Sequence, residues 1–163
     1  MSSTQTPRFP RPLANLLKRV PAFLPGKTFA LLINRFLAQP LQEGELDFLE
    51  DKVLNIQVSD TGIQFSLTLE QNRLVATQQA ADVSIQGSLY AFLLLAGRHE
   101  DPDTLFFNRS LRLEGDTELG LYVKNFLDAL EFDGELARLL PLLEKAAPKY
   151  ATLSRLPLPA FLR

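Results

Sequence analysis

The chain of 163 residues contains no cysteine and a single histidine, and these two scarcities exclude much of enzyme chemistry. Without cysteine there is no disulfide, no thiol nucleophile and no cysteine-ligated metal or iron–sulfur cluster. A transition-metal site would need mainly carboxylates, and no helical E-x-x-H or H-x-x-E pair occurs in the sequence. We therefore expect no metal and no cofactor, and the cytoplasm is the simplest compartment for such a chain.

Long apolar runs are also missing. No uninterrupted stretch of about 18 apolar residues occurs, so the sequence predicts no membrane-spanning helix. Pro10, Pro12, Pro21 and Pro25 interrupt the N-terminal region and no small-residue cleavage site follows, which argues against an export signal. Apolar residues nevertheless make up 46% of the chain, with 12 Phe and no Trp, so we expect a folded, soluble domain with one core.

Acidic residues are absent from both ends of the chain. Residues 1–42 carry six basic side chains and residues 145–163 carry four, whereas residues 43–144 hold the other seven and all 19 acids. Basic ends with interspersed Leu and Phe suit an anionic membrane surface, although they can also fold back onto the acidic middle. Nucleic acid binding is disfavoured because the middle is acidic and lacks a basic stripe. The residues predicted to contact the membrane are Arg8, Arg11, Lys18, Arg19 and Lys27.

The period of the apolar residues divides the chain into helices and strands. Helical spacing predicts a helix over 27–41 and a short second helix over 43–49. The spacing then changes to strict alternation, which predicts two strands joined by a turn at Asp60-Thr61-Gly62 and two more strands behind them. Because one face of every strand is polar, we expect an antiparallel meander covered by helices on one side only. The four predicted strands cover residues 54–59, 63–70, 73–78 and 81–86.

Helix start signals follow the predicted strands. Ser88, Asp101 and Asp116 each precede an apolar helical pattern and are typical N-cap residues, and Pro102 suits a first helical position. The predicted elements are helices over 89–96 and 102–107, a fifth strand over 111–114, a long amphipathic helix after Asp116, and a last helix over 136–143.

Two features resemble reactive sites without matching one. His99 lies in a polar loop, where a solvated side chain is the favoured interpretation. In GDTELG at 115–120, helix N-terminal amides can bind an anion, but Asp116 and Glu118 would repel a phosphate, and neither a dinucleotide fingerprint nor a P-loop spacing is present. We interpret Gly115 as a tight turn and Gly120 as a point of close helix packing. No catalytic residue is predicted.

The stretch LRLEGD at 111–116 resembles the strand, Gly-Asp and helix junction that ends the sheet of the sterol carrier protein type 2 domain. The runs 43–50 and 101–125 are similar to the UbiT family of bacterial ubiquinone biosynthesis accessory factors, and the similarity covers about residues 27–131. The resemblance implies an α+β fold, in which helices cover one face of a five-stranded mixed, mostly antiparallel sheet and enclose an apolar cavity. The domain organisation predicted with it is a basic Pro-rich N-terminal arm (1–26), a sterol-carrier-type lipid-binding domain (27–145) and a basic apolar C-terminal tail (146–163).

The same resemblance implies a non-enzymatic accessory factor in the oxygen-independent route to ubiquinone. Such a factor binds isoprenoid quinone intermediates or phospholipid and presents them to hydroxylases, which in that family context are the iron–sulfur proteins UbiU and UbiV. It would be cytoplasmic and peripherally membrane-associated. We predict the lipid-binding residues from the inward stripes of their elements, and they are Leu32, Phe36, Phe65, Leu67, Phe92, Phe106, Phe107, Tyr122 and Phe126.

Two other functions stay open from the residues. The apolar interior can be filled, in which case the protein is a scaffold whose groove binds a partner helix or a homodimer mate, with the tail at 153–162 docked there. An enzyme acting on a quinone ring is ranked last, because it needs Tyr90, Tyr122, His99 or Asp116 to converge on one spot.

Overall fold

A computed structural model describes residues 7, 8, 10, 23–131 and 134–153. It confirms the predicted α+β class, with a five-stranded mixed, mostly antiparallel sheet and helices on one face. The strands, in the spatial order β3-β2-β1-β4-β5, are β1 (Leu54–Val58), β2 (Ile63–Glu70), β3 (Arg73–Thr77), β4 (Val83–Gly87) and β5 (Leu111–Gly115). The helices are α1 (Phe23–Phe36), α2 (Ala38–Gln42), α3 (Leu89–Ala96), α4 (Pro102–Phe107), α5 (Thr117–Ala129) and α6 (Gly134–Leu153).

The fourth strand does not continue an antiparallel meander, and that part of the prediction is wrong. β1, β2 and β3 pair antiparallel, but β4 lies on the other side of β1, parallel to it, and β5 pairs antiparallel with β4. Backbone bonds hold the start of β4 there, because the N–H groups of Asp82 and Val83 both donate to the Val53 carbonyl. The Asp82 carboxylate in turn accepts from the Val53 N–H at 2.8 Å.

The two faces of the sheet differ in polarity, as the alternation predicted. Pairing places Leu54 and Ile56 of β1 on the same face as Leu67 and Phe65 of β2, and this face packs against the helices. Asn55 lies on the opposite face and is buried. Its Nδ2 atom donates to the Phe65 carbonyl at 3.1 Å and to the Ser66 hydroxyl at 2.9 Å, which compensates its desolvation.

Helix α1 covers the edge strand β3. The Asn34 Nδ2 atom donates to the Leu74 carbonyl at 2.7 Å, and the Leu74 N–H donates to Asn34 Oδ1 at 2.8 Å. One side-chain amide thus occupies the place that the backbone of a neighbouring strand would take. This pair of bonds also fixes α1 relative to the sheet.

The helix predicted for 27–41 is two helices in the structure. α1 begins at Phe23, inside the segment assigned to the N-terminal arm, and ends at Phe36. A helix continuing through Pro40 would leave the Phe36 carbonyl without its donor, because proline has no N–H. The second helix predicted for 43–49 is wrong, since Gly44 has φ +75° and only Asp47–Leu49 form a 3₁₀ turn.

The predicted N-caps are confirmed. The side chains of Ser88, Asp101 and Asp116 accept from the N–H groups of Ala91, Thr104 and Leu119. The role assigned to Gly120 is wrong, because an added Cβ atom there would lie 3.8 Å from the nearest atom, an ordinary packing distance.

Helix α6 is longer than predicted and packs against α3. It continues through Pro148 and crosses the boundary placed at residue 145. Pro148 has no N–H for the Glu144 carbonyl, and His99 Nε2 donates to that carbonyl instead, so His99 is not merely solvated. The Tyr150 hydroxyl donates to Asp60 at 3.4 Å, and burial, together with the Asp60 carboxylate, raises the pKa of Tyr150.

Candidate functional site

A cavity of about 300 Å³ lies between the sheet and the helices α1, α3 and α5. Its floor is the apolar face of four strands, and the segment around the 3₁₀ turn closes one side. Every residue that lines it is apolar. The lining residues are Ile33, Phe36, Leu37, Leu46, Phe48, Leu49, Leu54, Ile56, Leu67, Leu74, Ile85, Phe92, Leu95, Val123, Phe126, Leu127 and Leu130.

The chemistry of this lining selects an apolar occupant. A water molecule in such a space would lack the two to four polar partners that stabilise buried water. Hydrocarbon loses no hydrogen bond there and leaves bulk water, which contributes roughly 25 cal/mol per Å² of buried apolar area. The volume lies at the lower end of the range of about 300–1,000 Å³ that is common for small-molecule sites.

An aromatic cluster connects the cavity with the surface. Phe48 lines the cavity from the 3₁₀ turn, and its ring stacks on Tyr122 of α5 with a centroid distance of 5.9 Å. Phe126, one turn further along α5, also lines the cavity, and its ring centroid is 6.3 Å from that of Phe48. Since Tyr122 is exposed, the cluster reaches from the cavity wall to solvent.

The sequence profile of the SCP-2 sterol transfer family matches residues 33–128, which include all five strands. The chain belongs to the SCP-2 sterol transfer family. Proteins of Escherichia coli strain K12 and of Escherichia coli O157:H7, both named ubiquinone biosynthesis accessory factor UbiT, are 43% identical to it over 118 residues. This match covers 72% of the chain and 68% of each relative, so the chain is a UbiT homologue and the predicted resemblance is confirmed.

A solved structure described as "UbiJ-SCP2 Ubiquinone synthesis protein" has the same fold. It superposes with a TM-score of 0.51 at 19% identity, and the match covers 64% of this chain and 93% of that chain. The SCP-2 fold is therefore shared between proteins with little sequence in common.

Four of the nine residues predicted to bind lipid line the cavity of this SCP-2 domain, namely Phe36, Leu67, Phe92 and Phe126. Phe65 and Phe106 are packed elsewhere. The Phe65 ring stacks on Phe29 with a centroid distance of 4.7 Å, and Phe106 packs against a separate cluster that contains Leu105.

The other three predicted lipid-binding residues do not line the cavity and are exposed rather than turned inward, so their part in lipid binding stays a prediction. Phe107 is 92% exposed, because it lies two positions after the fully buried Leu105 and therefore on the opposite side of α4. Leu32 is 47% exposed, since α1 turns Ile33 and Ala30 toward the interior instead. Tyr122 is exposed at the aromatic cluster.

The prediction also missed lining residues outside the long helices. Leu46 and Phe48 lie in the EGELDFLE run that carried the resemblance to the UbiT family, so their signal was present in the sequence. Because they lie on a turn rather than a helix, helical periodicity could not show which of them faces inward.

Of the residues predicted to contact a membrane, Arg8 and Lys27 are described and exposed. Arg11, Lys18 and Arg19 lie outside the described residues, as does the tail from residue 154 onward. Within the described part of the chain, none of the helices combines the length and the hydrophobicity that crossing a bilayer requires.

The four residues considered for ring chemistry contact four different neighbours. His99 bonds to the Glu144 carbonyl, Asp116 caps α5, and Tyr122 stacks on Phe48. Tyr90 stacks on Tyr150 with a centroid distance of 6.3 Å.

Proposed function

We propose that this UbiT homologue is a lipid-binding accessory factor of ubiquinone biosynthesis that does not itself catalyse a step. The apolar cavity carries this proposal, since it offers a place for hydrocarbon and no polar group for chemistry. The occupant would be a prenylated quinone precursor or a membrane phospholipid. The names of the Escherichia coli relatives support the pathway, and the family membership supports the class of ligand.

The size of the cavity sets how much of such a ligand is enclosed. Each buried CH₂ contributes roughly 0.8 kcal/mol, so transfer of a prenyl chain into water is strongly unfavourable without an apolar sheath. A cavity of about 300 Å³ encloses part of a long chain. In our proposal the ring or head group remains at the aromatic cluster of Phe48, Tyr122 and Phe126, where a partner protein can reach it.

The partners we propose are hydroxylases resembling UbiU and UbiV in an oxygen-independent route. The cysteine-free sequence supports this division of labour, because this chain cannot ligate an iron–sulfur cluster through thiolates. Ring chemistry of that kind would have to come from another protein.

Native mass spectrometry of the purified protein, followed by solvent extraction and lipid identification, tests the proposal. We expect a stoichiometric adduct that dissociates to a prenylated phenol or a phospholipid. A mass equal to that of the bare chain, with no lipid recovered after incubation with bacterial membranes, would refute the carrier function and favour a scaffold.

We further propose that α6 brings the carrier to the membrane. Leu142, Lys145, Lys149 and Leu153 are all exposed, and their spacing of three and four residues places them on one helical face. A helix face that combines basic and apolar side chains suits the interface of an anionic bilayer. This face supports peripheral association independently of the N-terminal arm.

Replacing Lys149 with alanine is expected to weaken binding to vesicles that contain phosphatidylglycerol about fivefold at low salt. Each Lys near an anionic surface contributes roughly 1 kcal/mol, and this contribution is screened by salt. Sedimentation of vesicles at low and at high salt measures the effect. Lys52→Ala serves as the control, because Lys52 is exposed but lies outside α6. Equal loss in both variants, or binding that is insensitive to salt, would contradict the assignment to α6.

A further inference from the structure

Strand β4 directs alternate residues to its two neighbours. The Gly87 carbonyl accepts from the Ser59 N–H at 2.8 Å, and the Val83 N–H donates to the Val53 carbonyl at 3.2 Å. Val83, Ile85 and Gly87 therefore direct their backbone groups toward β1, and the intervening residues of β4 bond to β5.

Strand β5 consequently has a free edge in the described part of the chain. The residues of β5 in register with the intervening residues of β4 are Arg112 and Glu114, and these complete the ladder with β4. Leu111, Leu113 and Gly115 direct their N–H and C=O groups away from β4. On that side Gly115 is exposed and Leu113 is half-buried, whereas Leu111 is buried. Such an edge is a template for another strand.

A groove of about 420 Å³ runs beside this edge. We call it the β5 groove. Phe106 of α4 and Lys124 of α5 line it together with the residues of β5, and Arg109 lies where the chain enters β5. The helices thus border the edge of the sheet without covering it.

The sequence of β5, LRLEG, is complementary to itself in the antiparallel sense. When two copies are aligned about Leu113, Leu111 of one lies opposite Gly115 of the other, and Arg112 lies opposite Glu114. Side chains of opposite charge that lie directly across from each other stabilise a pair of strands. Arg112 is exposed and has no ion pair among the described residues, and Glu114 is exposed and accepts one bond from the Gln86 amide at 2.9 Å.

Exposed apolar side chains lie at both ends of the edge. Phe107, 92% exposed, precedes β5, and Leu121, 55% exposed, lies in the helix that follows it. Antiparallel pairing brings the start of one β5 to the end of the other, so each Phe107 would approach the helix that carries the partner's Leu121.

We propose that two copies of this chain associate through β5, antiparallel about Leu113, and join their sheets into one of ten strands. The contact is isologous, because the same residues serve on both sides. This surface goes beyond the proposed lipid-binding function and does not depend on it.

Analytical ultracentrifugation of charge-reversal variants over a range of concentrations tests the proposal. The wild-type protein should dimerise, and Arg112→Glu and Glu114→Arg should each raise the dimer dissociation constant on the order of tenfold, because both cross-strand pairs become repulsive. An equimolar mixture of the two variants should recover the dimer, because the β5 edge of one variant then carries two acidic side chains and that of the other carries two basic ones. The double variant with both reversals should also dimerise like the wild type.

Hydrogen exchange of the wild-type protein provides a readout that needs no variant. The amide of Leu113 should exchange more slowly as protein concentration rises, whereas those of Arg112 and Glu114 bond to β4 in either state and serve as internal controls. Exchange at Leu113 that is independent of concentration would overturn the proposal. A monomer at every concentration would also overturn it and would leave the β5 groove to a strand of another protein. A dimer whose dissociation constant neither charge variant changes would overturn it as well.

Discussion

Filling the cavity with two phenylalanine side chains is expected to reduce the lipid that co-purifies with the protein more than tenfold. Ile56 and Leu127 are half-buried and line the cavity from the floor and from α5. Ile56→Phe combined with Leu127→Phe puts ring atoms into the space of the ligand. Displacing even two CH₂ equivalents of lipid costs roughly 1.6 kcal/mol, which exceeds a factor of ten in affinity.

The control is Leu121→Phe, the same kind of change on the outer face of α5, where the side chain is exposed. Mass spectrometry of extracted lipid gives the stoichiometry, and circular dichroism with thermal unfolding shows whether each variant is folded. The cavity provides room, so we expect little of the strain that accompanies overpacking of a filled core. If the folded double variant keeps its lipid, the ligand lies elsewhere. If wild-type protein and double variant both lack lipid and both retain their partners, the scaffold function is the better description.

Replacing Gly115 with alanine is expected to destabilise the fold by about 3 kcal/mol, whereas the same change at Gly120 should stabilise it by up to about 1 kcal/mol. Gly115 has φ +109°, and an added Cβ atom would lie 2.3 Å from the Asp82 carbonyl oxygen. That oxygen accepts the N–H of Asp116, which caps α5, so the clash would disturb the turn and the cap together. Gly120 lies inside α5 with ordinary space around it, where alanine is the better helix former.

Urea unfolding of the two variants at one protein concentration measures both free energies. Since the glycines are only five positions apart in the GDTELG segment, the pair controls for general effects on this region. Changes of the same sign would contradict the conformation described for the strand-to-helix junction.

Much of the fold was predictable because its information is local. Alternation marked the strands and their polar face, and Ser88, Asp101 and Asp116 marked helix starts through single hydrogen bonds to nearby amides. The place of β4 was not predictable in this way. It depends on the bonds of Asp82 and Val83 to Val53, about thirty positions earlier in the chain.

The candidate site was predictable only in part, for a related reason. Helical periodicity finds an apolar stripe, but a stripe as wide as that of α1 does not show which edge faces the sheet. The bonds between Asn34 and Leu74 settle that rotation, and they leave Leu32 exposed while Phe36 lines the cavity. The helix across Pro148 was missed because its broken bond is compensated by His99, from a distant loop.

The amide of Asn34 has a further consequence at the other end of the sheet. A sheet with two open edges can add copies at both and grow without limit, which is the geometry of fibrils. Here α1 covers β3 and Asn34 occupies both backbone groups of Leu74, so among the described strands β5 is the edge left to accept a strand. The proposed association through β5 would therefore end at two copies, because α1 and the Asn34 amide keep the opposite edge from extending the assembly into an open-ended polymer.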